Sequence, residues 1–394
     1  MTVFPGGPSS LPGAGSAAAA YRPGVPAASA PPGAPPLAAA STRAAVAVCL
    51  VTHNSAPDLP GCLEAVAGLR HRPLEIAVVD SGSSDGSLEA ARRAAPPGIA
   101  WKDAGYAANI GFAAGMNAAI ALTRAPFVLL LNADARPRPD FLDRLLARME
   151  AHPALRVGAA TGRLVRPAAP GEAPVLDACG MRLTSTWRHL DRGSGEVDRG
   201  QWAAADRVFG ATGAASLFRR AALEDAALDA AEVFDPRFHS FREDAELSFR
   251  LRERGWEILY EPAAVAEHRR FNLPERRAAM PAAVNLHSLK NRYLLRIYHP
   301  TARNLLRTSL PTLARDLGAL AYVLLRERSS LGAYAWLLRH RAELLARRRA
   351  IQGRRLVPAA DLDTWFGAAG APLPADPGAP LPADPGAPPP QEGA

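Results

Sequence analysis

Lysine is almost missing from this 394-residue chain. Only Lys102 and Lys290 occur, against 44 arginines. The bias reads mainly as GC-rich coding and only weakly as phosphate recognition. Cysteine is also scarce. Cys49, Cys62 and Cys179 cannot all pair and show no CxxC spacing, so a disulfide scaffold and a structural zinc site are disfavoured and a reducing cytosol is the simplest compartment. No run of about 18 uncharged apolar residues exists, so no membrane-spanning helix is expected. The first 40 residues have neither a basic n-region nor a continuous apolar stretch, which disfavours a secretory signal. Acid is in deficit, and the formal charge is +8. That balance suits a polyanionic partner: nucleic acid, an anionic membrane or a phosphorylated substrate.

Proline is plentiful but uneven, with 18 of 37 in residues 1–40 and 367–394. The second of these segments repeats APLPADPG from Ala371 and again from Ala379. Such spacing cannot build a core, and both ends read as solvated, disordered tails. Between them, composition is globular.

Within the core, short apolar strands alternate with amphipathic helices. Strands are expected at 45–52, 75–80, 101–103 and 127–131. Helices are expected at 57–69, 87–95, 111–122 and 139–151. This alternation predicts an α/β fold with a mainly parallel sheet covered by helices on both faces. Polar clusters Thr52–Ser55, Asp80–Gly86 and Asn132–Asp134 follow three strands at their carboxyl ends, where open α/β sheets bind ligands. Residues 155–207 read as short strands and loops. A helix starts near Glu243-Asp244, and strand-like segments cover 256–268. From 286 to 355 the chain reads as helical.

The clusters, in order, resemble the family-2 glycosyltransferases of GT-A fold, especially the rhamnosyltransferase-like branch. The matching stretches are VTHNS (51–55), VVDSGSSDGS (78–87), NIGFAAGMN (109–117), LLLNAD (129–134) and GATGAASLFRR (210–220). FDPRFHSFREDAELSFRLRERGW (234–256) and YEPAAVAEH (260–268) complete the series. The resemblance spans about 46–300. It implies a Rossmann-like nucleotide-binding half and a hexosyltransferase-type enzyme acting on a nucleoside-diphosphate sugar, with dTDP-rhamnose as candidate donor. The implied acceptor is a surface polysaccharide or a lipid-linked glycan.

The resemblance also implies site residues. Asp80, helped by Thr52 and Asn54, receives the nucleobase or ribose; alternatively Asp80, Ser83 and Asp85 form an Asx turn that caps the next helix. Asn109, Gly111 and Asn117 surround a glycine-rich turn that approaches the donor, though Asn109 equally suits a helix cap. Asn132-Ala133-Asp134 takes the place of a DxD metal motif, with Asn132 for the first acid. Asp134 and His268 are the implied ligands of Mg2+ or Mn2+. Asp244 is the implied base that deprotonates the acceptor hydroxyl in an inverting transfer. Glu243 supports the acceptor or the helix N-terminus, since acids are favoured there in any helix. Gly213 belongs to a loop under donor and acceptor, and 177–202 is a candidate acceptor rim. His53 and His239 read as structural.

A domain division is expected at about 285: a transferase unit at 41–285 and a basic helical extension at 286–366. Fourteen arginines and one lysine face three acids between 290 and 360. The extension is expected to touch an anionic membrane from the cytoplasmic side; alternatively it packs on the catalytic unit and shows arginine to solvent. Nucleic acid is not expected as partner, because aromatic residues do not interleave the arginines in a known reader pattern. Two rival functions are a sugar nucleotidyltransferase and a catalytically inactive basic adaptor. The first lacks a glycine-rich basic loop after the first strand. Intact Asp80, Asp134, Asp244 and His268 oppose the second.

Overall fold

The computed structural model of the protein describes residues 44–168, 171–270, 280–368 and 370–371. The 1–40 segment and most of 367–394 lie outside the described residues.

The first half alternates as expected: β1 (Val46–Thr52), α1 (Leu59–Ala67), β2 (Leu74–Ser81), α2 (Ser87–Arg93), β3 (Ala100–Tyr106), α3 (Gly111–Ala121) and β4 (Phe127–Asn132). β5 (Ala135–Pro137), α4 (Phe141–Glu150) and β6 (Val157–Val165) follow. Next come β7 (Leu176–Ala178), β8 (Met181–Leu183), β9 (His189–Asp191), β10 (Asp206–Arg207) and β11 (Ala215–Arg219). The remainder is α5 (Arg220–Ala226), α6 (Glu243–Glu253), β12 (Glu257–His268) and five helices: α7 (Ala282–Tyr298), α8 (Ala302–Arg326), α9 (Leu331–Arg339), α10 (Arg341–Gly353) and α11 (Ala359–Asp363).

The main sheet runs β10-β12-β6-β11-β4-β1-β2-β3. β1, β2, β3 and β4 are mutually parallel neighbours, and β11 enters antiparallel between β4 and β6. The fold is thus the mixed, mostly parallel sheet flanked by helices that the sequence predicts. Alternation along β1 shows why both faces need cover. Val46, Val48 and Leu50 join Leu59, Leu63 and Phe141 on one face. Ala47 and Cys49 join Met116, Ile120 and Leu223 on the other.

Two elements differ from expectation. β6 is a nine-residue strand inside the sheet, where loops and short strands are predicted. Its sequence, VGAATGRLV, is rich in small residues and weak in strand signal. Smallness is required there: a Cβ on Gly162 would sit 2.3 Å from the Ala264 carbonyl oxygen. β12 is one twelve-residue strand rather than two segments, with its register shifting between Glu261 and Val265, around Pro262.

Beyond the sheet, α7 and α10 pack with α6 around Phe238, Phe249, Leu294, Leu295, Tyr298 and Leu344. At the start of the 367–394 segment, Gly367 donates to the Leu183 carbonyl and Ala371 to that of Arg207, both at 2.8 Å.

Candidate functional site

Three parallel strands end at one edge. β1 places Thr52 beside Asp80 of β2 and Val51 beside Asn132 of β4. The chain then turns through Ala133-Asp134 into β5, which pairs antiparallel with the end of β12 and sets His268 opposite Ala135. That pairing brings His268 to Asp134 across 134 positions of sequence. The loop before β11 passes the same edge, where the Asn132 amide donates to the Ala214 carbonyl at 2.9 Å. One residue earlier, the Gly213 amide donates to Asp244 Oδ2 at 3.0 Å. The result is a cavity of about 550 Å³ lined by Asn132, Asp134, Gly213, Glu243, Asp244 and His268, among others.

At one end of this cavity, His268 Nε2 lies 3.3 Å from Asp134 Oδ1, and its Nδ1 lies 2.7 Å from Asp177 Oδ2. Burial alone would depress the imidazole, but the two carboxylates outweigh it and push it up to about 9. Burial alone would likewise raise Asp134; His268 and Arg269 reverse this and hold its carboxyl below the usual range. The Asn132 amide nitrogen is 3.5 Å from His268 Nε2. The donors are thus one carboxylate, one imidazole fixed from behind by a buried carboxylate, and a neighbouring amide. Among the described residues no group of three or more His, Cys, Asp and Glu forms a complete metal cage. Asp134 and His268 supply two donors of a type that divalent cations take, and phosphate and water would have to supply the rest.

Elsewhere on the cavity wall, Asp244 and Glu243 occupy the first turn of α6. Asp244 Oδ1 accepts from the Ala245 amide at 2.8 Å. Burial raises its carboxyl, the Gly213 amide opposes this, and the balance lies at about 6. Glu243 is pushed well up by burial and by Asp244 beside it, and its Oε2 is buried without a hydrogen-bond partner. Burial and mutual repulsion thus hold both acids of the pair above the usual carboxylate range.

The other sequence-derived positions lie beside the cavity rather than on its lining. Asp80 accepts from both the amide and the hydroxyl of Ser83, the Asx turn anticipated as the alternative. Asn54, at φ 52°, accepts from the Ser84 amide at 2.9 Å, which pins the end of β1 to that turn. Asp85 accepts from the Ser87 and Ala56 amides, both at 3.0 Å. Thr52 is fully buried. Asn109 Oδ1 accepts from the Gly111 amide at 2.9 Å. Gly111 has φ 81°, and a Cβ there would meet the His239 ring at 2.5 Å, so its close approach is to protein. Asn117 exchanges two 2.8 Å bonds with the Phe234 backbone, tying α3 to the segment before α6.

Sequence reasoning missed several wall residues. Arg270 bridges Asp177 and Asp191 at 2.8 and 2.5 Å. Arg242, at φ 72° immediately before the acidic pair, meets His189 Nδ1 at 3.2 Å. Of the 177–202 rim, His189 and Asp191 line the cavity. Trp187 does not: it is buried, stacked on Phe249 and bonded to Thr308. Only pairing across long sequence separations gathers these residues, and no local motif announces it.

Residues 47–226 match Glycosyl transferase family 2. A curated relative, the N-acetylglucosaminyl-diphospho-decaprenol L-rhamnosyltransferase of Mycobacterium tuberculosis, is 28% identical over 251 residues, covering 56% of this chain and 75% of the relative. Among solved structures, the Pyrobaculum calidifontis mannosyltransferase PcManGT in complex with GDP-Man and Mn2+ is 18% identical, with a TM-score of 0.44, covering 80% of this chain and 86% of that one. S. aureus TarS 1-349 in complex with UDP-GlcNAc is 14% identical, with a TM-score of 0.46, covering 78% and 90%. With seven motifs in order and an acidic cavity at the carboxyl edge of the sheet, the chain thus carries a family-2 glycosyltransferase region at residues 47–226 and is similar to a curated rhamnosyltransferase.

Proposed function

We propose that the enzyme is inverting and metal-assisted, and that it moves a sugar from a nucleoside-diphosphate donor to a hydroxyl of a lipid-linked glycan or growing surface polysaccharide. The observation that supports this best is that one cavity is lined both by a carboxylate poised near 6 and by the Asp134–His268 pair. Asp244 takes the proton of the acceptor hydroxyl as it attacks the sugar C1. Gly213 fixes the orientation of that carboxylate, and Glu243 stays neutral and offers a hydrogen bond to the acceptor.

Asp134 and His268 would hold Mg2+ or Mn2+, with Asn132 beside them. When bound, the cation offsets the charge that develops on the departing diphosphate. We assign Asn54 and Asp80 to the nucleotide end, because the segment carrying Asn54 lines the cavity at Val51 and Ser55 and is pinned through Ser84 to the Asp80 turn. Thr52, Asn109, Gly111 and Asn117 shape the backbone around it. The rhamnosyl and diphospho-decaprenol terms in the relative's name support a rhamnose donor, with dTDP as the carrier we infer, and an acceptor anchored by a lipid diphosphate. Incubating the purified chain with a panel of nucleotide sugars and a lipid-diphosphate acceptor tests this. Release of dTDP dependent on acceptor supports the reading, and turnover with no nucleotide sugar of the panel overturns it.

Two further results are expected. Because Asp244 must be ionised to act, kcat/KM rises with pH through about 6. A profile flat from about pH 4.5 to 8 removes Asp244 from the base role. Second, Asp177→Asn takes away the carboxylate that orients His268, and Mn2+ affinity measured by isothermal titration should fall about 10–100-fold. An unchanged affinity dissociates His268 from the cation.

A further inference from the structure

α8 is amphipathic with its polarity reversed. The face it turns to the protein is mostly polar: Asn304, Thr308 and Thr312 are buried there, and Val323 is its only buried apolar residue. Polar contacts hold it in place. Thr301 and Asn304 close a capping box, Trp187 Nε1 donates to Thr308 Oγ1 at 2.9 Å, and Asp316 receives both Arg292 and Arg296. The outer face carries Leu306, Leu310, Leu313, Leu317, Leu320 and Leu324, which are 37% to 81% exposed. Their spacing of four, three, four, three and four residues stacks them in one stripe of an α-helix. At about 1.5 Å per residue the ridge is about 27 Å long. An apolar surface of that extent marks an interaction site.

The spacing alone would also suit the seam of a coiled coil with a second copy. Charge separates the two occupants. From Ala302 to Ala342 the exposed ionic side chains are Arg303, Arg307, Arg326, Arg328, Arg339 and Arg341; Arg303 and Arg307 share the one Asp363 carboxylate at 2.8 and 3.5 Å, and exposed Glu343 follows the stretch, so the surplus stays positive. The two acids of this stretch are engaged: Asp316 by its two arginines, and buried Glu327 by Ser330. Two antiparallel ridges would bring Arg303 and Arg307 of one copy against Arg326 and Arg328 of the other. Two parallel ridges would set each arginine against itself. An anionic lipid surface presents the opposite charge and an apolar interior beneath it.

We propose that α8 lies in the interface plane of an anionic bilayer, with the Leu306–Leu324 ridge among the acyl chains and the flanking arginines at the headgroups. The inference is independent of the sugar-transfer reading, although a lipid-linked acceptor would be met at the same surface.

Co-sedimentation of the full chain with phosphatidylcholine vesicles, with and without phosphatidylglycerol, tests it. Wild type is expected to bind the phosphatidylglycerol vesicles. Leu310→Glu/Leu317→Glu should lower the partition coefficient at least about tenfold, since both leucines would leave the acyl region. Both side chains face solvent, so the thermal midpoint should not move. Equal binding of variant and wild type overturns the proposal, as does a wild type that binds neither vesicle or both equally. A wild type that is dimeric by light scattering and becomes monomeric on the double substitution also overturns it, by making the ridge a seam between copies. Donor hydrolysis measured without vesicles reports on the transferase reading separately.

Discussion

Asp244→Asn should lower kcat by about 10²–10⁴-fold at saturating acceptor, the range that a positioned general base contributes. The substitution keeps the shape of the side chain and an oxygen for the Gly213 amide, so donor binding should change little. It should also make the protein more stable at neutral pH. The folded-state carboxyl lies near 6 rather than 3.8, raised mainly by burial. Below the unfolded value both states are protonated and nothing is lost; between 3.8 and about 6 the unfolded chain ionises while the folded carboxyl stays protonated, so the cost builds across that window and is full above it. Removing it should yield about 1–2 kcal/mol at pH 8, discounted for the water in the cavity, and nothing near pH 3.5. Chemical denaturation at the two pH values checks this. Full activity in the Asn variant would place the base elsewhere.

Arg250→Met should cost about 3–5 kcal/mol of folding stability, the penalty for leaving a buried charge uncompensated. Glu246 is fully buried, and Arg250 meets it with two bonds of 2.7 and 2.6 Å. The same guanidinium also serves the carbonyls of Ala226 and Val233. Burial alone would raise the Glu246 carboxyl, but Arg250 and His299 hold it down at about 2. In wild type the pair therefore stabilises fully above pH 4.5 and fades as pH falls towards 2. The Met variant should lack that acid-sensitive component. Adding Glu246→Leu should restore most of the loss, because the orphaned charge goes with it. A loss below about 1 kcal/mol in the single variant would show that water reaches Glu246.

This network also shows where the sequence ceases to be legible. The helix at Glu243 is visible from its acidic first turn and from Leu247, Phe249 and Leu251. Its burial on all sides is not. Glu246, Arg250, Arg252 and Glu253 are each buried and paired, Arg252 with the Phe209 and Val208 carbonyls and Glu253 with His299. The parallel half of the sheet was readable because β-branched runs and amphipathic helices alternate there. β6 was not, because glycine and alanine carry little propensity and only its neighbours make it a strand. At the site, Asp134, His268, Gly213, Glu243 and Asp244 were legible through their motifs and line one cavity. Asp191 was legible only as part of the 177–202 rim, and Arg242 and Arg270 were not singled out although they lie beside motif residues, because their pairing with His189 and with Asp177 and Asp191 is tertiary.

The two ends of the cavity hang on adjacent peptide units. Asn132 donates to the carbonyl of Ala214, and Gly213 donates to Asp244. Asn132 and Asp244 are therefore joined by a strut of two residues. For anyone redesigning sugar choice, residues 132–134 are not an independent module. A change that tilts this short bridge also moves the Gly213 amide, the group that opposes the effect of burial on the Asp244 carboxyl.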